Sequence, residues 1–133
     1  MKNKIGLNNI RFGWSWLFVG ILMAMWIGLF AFKSEWLGGY AGLTRRFLRL
    51  AHLSFMALSL TNILYGLCID AAELSLKYKR IGSYTMINAA VFMPTICLLT
   101  IWNRFFENLF FIPAGSFACA VFIMAFGYIK KEI

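Results

Sequence analysis

Four long apolar segments dominate the hydrophobic pattern of this chain. They cover residues 13–32, 46–69, 84–102 and 110–129. As a helix rising roughly 1.5 Å per residue, each segment is long enough to cross about 30 Å of hydrocarbon. The backbone finds no water partners inside a bilayer, so such segments are predicted to be helical. The pattern therefore predicts an all-α integral membrane protein, a four-transmembrane-helix bundle that forms one domain over residues 1–133.

The basic residues predict the orientation of this bundle. An even number of spans places both termini on one side, which we name the terminal side. That side carries eight of the thirteen basic residues: Lys2, Lys4, Arg11, Lys77, Lys79, Arg80, Lys130 and Lys131. The opposite side carries the other five: Lys33, Arg45, Arg46, Arg49 and Arg104. Because positively charged loops stay in the cytoplasm, both termini are predicted to be cytoplasmic.

The composition supports a membrane protein and argues against several other classes. Of the 133 residues, 62% are hydrophobic and 14% are charged, whereas about a quarter are charged in a soluble domain. The net charge of +8 resides in tails and loops, which suits lipid head groups. No nucleic-acid motif is present, so no nucleic-acid partner is expected. The three cysteines lie singly in apolar segments and are interpreted as small packing residues.

Polar residues and proline predict details of the helices. Thr44 is predicted to cap the second helix and Ser83 the third, and residues 70–73 resemble a capping box that opens a short amphipathic segment. Pro94 lies in the middle of the third span. We expect a kink there, and a neighbouring helix must satisfy the carbonyl that proline leaves without a donor.

Small residues on the first span predict a packing face. Gly20, Ala24 and Gly28 recur every four residues, a spacing that lets two helices approach closely in a membrane.

The second span contains the candidate site. One side of this predicted helix is polar at both ends, and it holds the only histidine of the chain, His52. Ionisable residues near a membrane span are costly and are often functional. The residues predicted to bind a cofactor are His52, Arg45, Arg46, Arg49, Met56, Ser59 and Asn62.

Four roles are consistent with His52. It can hydrogen-bond a neighbouring helix or a lipid head group. It can be an axial ligand of a haem b, whose propionates the arginines would meet. It can join Ser59 and Asn62 in binding a quinone. It can also bind copper together with Met56, one helical turn away.

The haem interpretation needs a second ligand, because this chain has one histidine. Met93, Met124 or a residue of a partner would have to supply it, whereas a chlorophyll would need His52 alone.

The sequence lacks the groups of an autonomous enzyme. No carboxylate lies in the middle of a span, and one histidine with terminal carboxylates assembles no catalytic constellation. We expect a small accessory or anchoring subunit of a larger membrane electron-transfer complex of respiratory type, in a bacterial inner membrane or an equivalent energy-converting membrane. The alternatives are a homo-oligomeric channel or transporter lined by Ser59, Thr61, Asn62 and Asn88, or a purely structural subunit.

Overall fold

The computed structural model describes residues 4–33, 35 and 42–130, except for the side chain of residue 32. Within these ranges the chain forms four long helices and no strand. The helices are α1 (Gly6–Leu29), α2 (Leu43–Ile69), α3 (Leu76–Trp102) and α4 (Phe111–Ile129). All four are long and apolar enough to cross a membrane. The predicted all-helical, multi-pass architecture is therefore confirmed.

Two helices extend beyond the apolar segments that predicted them. The first begins at Gly6 instead of residue 13, and the third begins at Leu76 instead of residue 84. Both extensions contain polar residues on the terminal side. A helix satisfies its own backbone in water as well as in lipid, so its end need not coincide with the edge of the apolar run.

The predicted caps were wrong. The residue preceding α2 is Gly42, and Thr44 lies inside the first turn. Ser83 is buried in the interior of α3, where it contacts α1. Residues 70–73 do not cap the start of α3, because Ser75 precedes that helix, which begins at Leu76. Asp70 of this segment accepts a hydrogen bond from the backbone N–H of Gly6 at 3.2 Å, so it satisfies the first turn of another helix.

The helices are arranged so that each packs mainly against its neighbours in the sequence. α1 packs on α2, α2 on α3 and α3 on α4, with a smaller contact between α1 and α3. The central pair, α2 and α3, is therefore more buried than α1 and α4, which flank it and expose most of their apolar surface. In a membrane this surface faces lipid or another subunit.

Glycines allow α1 to lie close against α2. Gly6, Gly13 and Gly20 are buried and recur every seven residues, which places them on one side of the helix. A Cβ atom at Gly13 would lie 2.8 Å from the carbonyl oxygen of Ser59, a distance that requires the backbones to move apart. Gly6 meets Gly66 of α2 in the same way. Close backbone approach through small residues is the usual way in which membrane helices associate.

Of the predicted packing face, Gly20 contacts α2 within this chain, whereas Gly28 does not. A Cβ atom at Gly20 would be 3.1 Å from the Cβ of Phe55, whereas one at Gly28 would meet nothing within 4 Å. Ala24 is half-buried. The face in contact with α2 follows a seven-residue spacing, and Gly28 lies beyond it.

The carbonyl left without a donor by Pro94 is satisfied from α1, as the sequence predicts. Proline has no N–H, so the carbonyl of Ala90, four residues earlier, loses its donor within α3. Trp16 donates to this oxygen from its indole Nε1 at 2.9 Å. The indole contacts the rings of Phe12 and Phe55, with centroids 5.4 and 5.0 Å away. These contacts hold the donor in position.

We expect Trp16→Phe to lower the free energy of unfolding by about 1–2 kcal/mol, because it leaves the Ala90 carbonyl without a donor in lipid. The variant is compared with Trp14→Phe, which alters an exposed indole of the same helix and should change little. Pro94→Ala restores the N–H, so Trp16→Phe should cost less in that background. Unfolding in mixed micelles with increasing dodecyl sulfate measures the wild type, the three single variants and the double variant. An equal cost of Trp16→Phe in both backgrounds would contradict the assignment.

The glycine contacts give a second, matched pair of variants. Gly13→Ala should destabilise the protein by about 1–3 kcal/mol, because the new methyl group meets the α2 backbone. Gly28→Ala adds the same methyl group to the same helix in open space, so it should be neutral or slightly stabilising. The same unfolding experiment measures both. Comparable destabilisation by the two changes would mean that contact with α2 is not what requires glycine at position 13.

Candidate functional site

A groove between α1 and α2 contains the predicted histidine. We name it the His52 groove. It has a volume of about 350 Å³ and is lined by Ala24, Ile27, Gly28, Arg49, His52 and Leu53. It exists because α1 has small or absent side chains at Ala24 and Gly28, so a gap remains beside α2. Its surface is largely apolar, with the imidazole and the guanidinium as its polar groups.

The imidazole of His52 has no hydrogen-bond partner among the described residues. Its Nδ1 is enclosed by protein and makes no hydrogen bond. By contrast, the six polar side chains that are buried in the described part of the chain are all hydrogen-bonded: Asn9, Ser54, Ser59, Asn62, Ser83 and Thr100. Burying a polar nitrogen without a partner costs about 1–3 kcal/mol. The hydrogen bonds among the described residues therefore do not explain the position of the His52 imidazole.

The three arginines of the predicted site are not equivalent. Arg49 lines the His52 groove, and its Nε donates to the carbonyl oxygen of Arg45 at 3.4 Å. Arg45 is half-buried, and Arg46 is exposed. Neither Arg45 nor Arg46 lines the groove. The structure thus brings one guanidinium to the same groove as the imidazole.

Met56 lies at the contact between α1 and α2, away from the groove lining. Its Sδ would be 3.3 Å from a Cβ at Gly20. The thioether therefore packs against α1 at the point where that helix approaches α2. Among the described residues, no group of three or more His, Cys, Asp and Glu side chains is placed to hold a metal ion.

Ser59 and Asn62 take part in bonds within the bundle. The hydroxyl of Ser59 donates to the carbonyl oxygen of Phe55 in its own helix. Asn62 donates from Nδ2 to the carbonyl oxygens of Leu58 at 2.9 Å and of Met86 at 3.3 Å. These donors are therefore used inside the protein.

Asn62 belongs to a polar network that joins three helices. Its Oδ1 accepts a hydrogen bond from Nδ2 of Asn9 at 2.9 Å. Asn9 also donates to the carbonyl oxygen of Ser83 at 3.2 Å, and the Ser83 hydroxyl donates to Oδ1 of Asn9. We name Asn9, Asn62 and Ser83 the polar network. The sequence singled out Asn62 but not its partner Asn9, whose spacing of three and four residues from Gly6 and Gly13 is the signal that places it on the same side of α1.

The methionines considered as second haem ligands lie elsewhere. Met93 lines a separate groove of about 450 Å³ between α2, α3 and α4. Met124 packs against the buried cluster that contains Tyr65 and Ile69, towards the terminal side. Neither methionine lines the His52 groove.

The chain matches no protein-family model, and neither the curated proteins nor the solved structures include a significant match to it. The chemistry of the groove itself is limited and specific. It offers one imidazole, one guanidinium and apolar walls, which suits a largely apolar group that carries an anionic or hydrogen-bonding part.

We expect His52 and Asn62 to respond differently to truncation. His52→Ala should change the free energy of unfolding by less than about 1 kcal/mol, because no hydrogen bond is lost. Asn62→Ala should lower it by about 1–3 kcal/mol, because it removes the buried hydrogen bonds from Asn9 and to the Met86 carbonyl. Unfolding of the isolated chain in micelles measures both. A loss at His52 as large as that at Asn62 would assign the imidazole to the stability of the bundle.

Proposed function

We propose that this protein is a small accessory or anchoring subunit of a larger membrane electron-transfer complex of respiratory type. The observation that carries the proposal is the unpartnered imidazole of His52 in an apolar groove that is open at the helix surface. A partner subunit would cover the groove, and a group bound between the two proteins would take up the imidazole.

A haem b fits the residues of the groove in part. Neutral imidazole is a common axial ligand of haem iron, and a guanidinium suits a haem propionate. His52 and Arg49 would hold these two parts, and the apolar walls would contact the ring edge. When bound, the haem would supply one-electron transfer. The same groove would accept a chlorophyll, or the head group of a quinone through a hydrogen bond to His52.

We propose no catalytic role for the chain alone. Its described carboxylates lie at helix ends or in loops, and none lines the His52 groove. Glu107 pairs with Arg104, and Asp70 accepts the Gly6 N–H. Among the described residues, no carboxylate therefore lies beside His52 in the groove lining.

We also propose that both termini are cytoplasmic and that the membrane is a bacterial inner membrane or an equivalent energy-converting membrane. Eight basic residues on the terminal side against five on the opposite side support this orientation.

The channel alternative gains less support from the geometry. Asn62 and Ser59 are bonded within the bundle. Thr61 donates to the Ala57 carbonyl at 2.8 Å, and Asn88 donates to the Ser116 hydroxyl at 3.1 Å. The polar side chains that would line a path are thus occupied by helix carbonyls and by one another.

The test is an absorption spectrum, oxidised and reduced, of the protein extracted gently together with its partners. We expect a Soret band in the wild type that His52→Ala removes. Gly28→Leu should weaken the band, because the new side chain would occupy the groove. The matched control is Gly115→Leu, since Gly115 of α4 also has open space beside it but lies outside the groove.

Two results would contradict the proposal. A colourless sample with the same partners in all variants would make the protein a structural subunit and His52 a packing residue. Solute flux in liposomes that contain this protein alone would support the channel alternative.

A further inference from the structure

A second, polar pocket lies on the terminal side, where α1 and α3 begin. Its volume is about 240 Å³. It is lined by Lys4, Ile5, Asn8, Arg80, Ser83 and Tyr84. The lining thus combines two cations with three further polar side chains and contains no carboxylate. We name it the Lys4–Arg80 pocket.

The two cations of this pocket are available to a ligand. Neither Lys4 nor Arg80 forms an ion pair or a side-chain hydrogen bond with another described residue. The salt bridge found among the described residues joins Arg104 and Glu107 on the opposite side. The neighbouring Lys79 differs, because its Nζ donates to the Asp70 carbonyl at 2.8 Å. Ammonium and guanidinium groups are the side chains that bind phosphate best.

The pocket continues into an apolar groove. Tyr84 lines both the pocket and a second depression of about 390 Å³, which follows α3 through Thr85, Ile87, Asn88, Val91 and Phe92. From Tyr84 to Phe92 the helix rises about 12 Å away from the charged end. A charged pocket at the membrane boundary with an apolar groove leading into the membrane matches the two parts of a phospholipid.

We infer that the Lys4–Arg80 pocket binds an anionic phospholipid. The phosphate lies between Lys4 and Arg80, and an acyl chain follows the groove along α3. A larger depression of about 800 Å³ on the other side of Lys4 is less suitable for an anion, because Asp70 lines it. This inference is independent of the proposed function, since it involves other residues on the other side of the membrane.

Native mass spectrometry of the full chain in micelles tests the inference. Phosphatidylglycerol and phosphatidylcholine with the same acyl chains are added separately. The wild type should retain phosphatidylglycerol in preference to phosphatidylcholine. The double variant Lys4→Gln, Arg80→Gln should bind phosphatidylglycerol on the order of tenfold more weakly.

The control removes the same charge from the same side without altering the pocket. Lys77 and Lys130 are exposed on the terminal side and lie outside the pocket lining. Lys77→Gln with Lys130→Gln should leave the preference nearly unchanged. An equal loss of the preference for phosphatidylglycerol in the two double variants would attribute the effect to general surface charge and overturn the inference. Equal retention of the two lipids by the wild type would also overturn it.

A further arm distinguishes a lipid from a free phosphate ester. Glycerophosphoglycerol, which has the same head group without acyl chains, should not displace the lipid at an equal concentration. Displacement at that concentration would show that the groove along α3 contributes nothing, and it would overturn the lipid assignment.

Discussion

The contact between α1 and the central pair of helices depends on hydrogen bonds that must be completed inside the protein. Lipid offers neither water to a polar side chain nor a hydrophobic drive for helices to associate. The polar network supplies partners for its buried polar side chains and also holds the helices together, because Asn9 of α1 is bonded to Asn62 of α2 and to Ser83 of α3. Such bonds form only if the backbones lie close together. The glycines at positions 6 and 13, on either side of Asn9 along the helix, provide that approach.

The same constraint explains the middle of the bundle. Pro94 leaves a carbonyl without a donor, and in lipid an unsatisfied carbonyl would destabilise α3. Trp16 satisfies it because the glycine contacts have already fixed the rotation and depth of α1. Beyond Gly20, α1 still contacts α2 through Ile27, which packs with Leu48 in a buried cluster, while the small residues Ala24 and Gly28 line the gap beside it. The His52 groove thus follows from the small side chains on this part of α1.

The sequence predicted the features that depend on one helix alone, but it did not predict which residues of two helices contact each other. The four spans follow from the length of apolar runs, and the need for a donor near Pro94 follows from proline chemistry alone. The identity of that donor, Trp16, depends on the relative rotation of two helices, which no spacing within one span contains. Gly20 and Gly28 belong to one four-residue pattern in the sequence, yet one contacts α2 and the other does not. Asn62 and His52 were assigned to one candidate site, but about 15 Å of helix separates them, and Asn62 is bonded internally.

A polar group without a hydrogen-bond partner costs little free energy where water reaches it and much more where protein encloses it. Lys4 and Arg80 are exposed at the end of the molecule, where water solvates a free cation at little cost, so their isolation alone would indicate nothing. The shape of the pocket and the apolar groove that continues from it carry that argument. His52 differs, because its Nδ1 is enclosed beside apolar walls and water cannot replace the missing partner. Among the described residues, each of the six buried polar side chains has a hydrogen-bond partner, and the enclosed Nδ1 of His52 differs from them in having none.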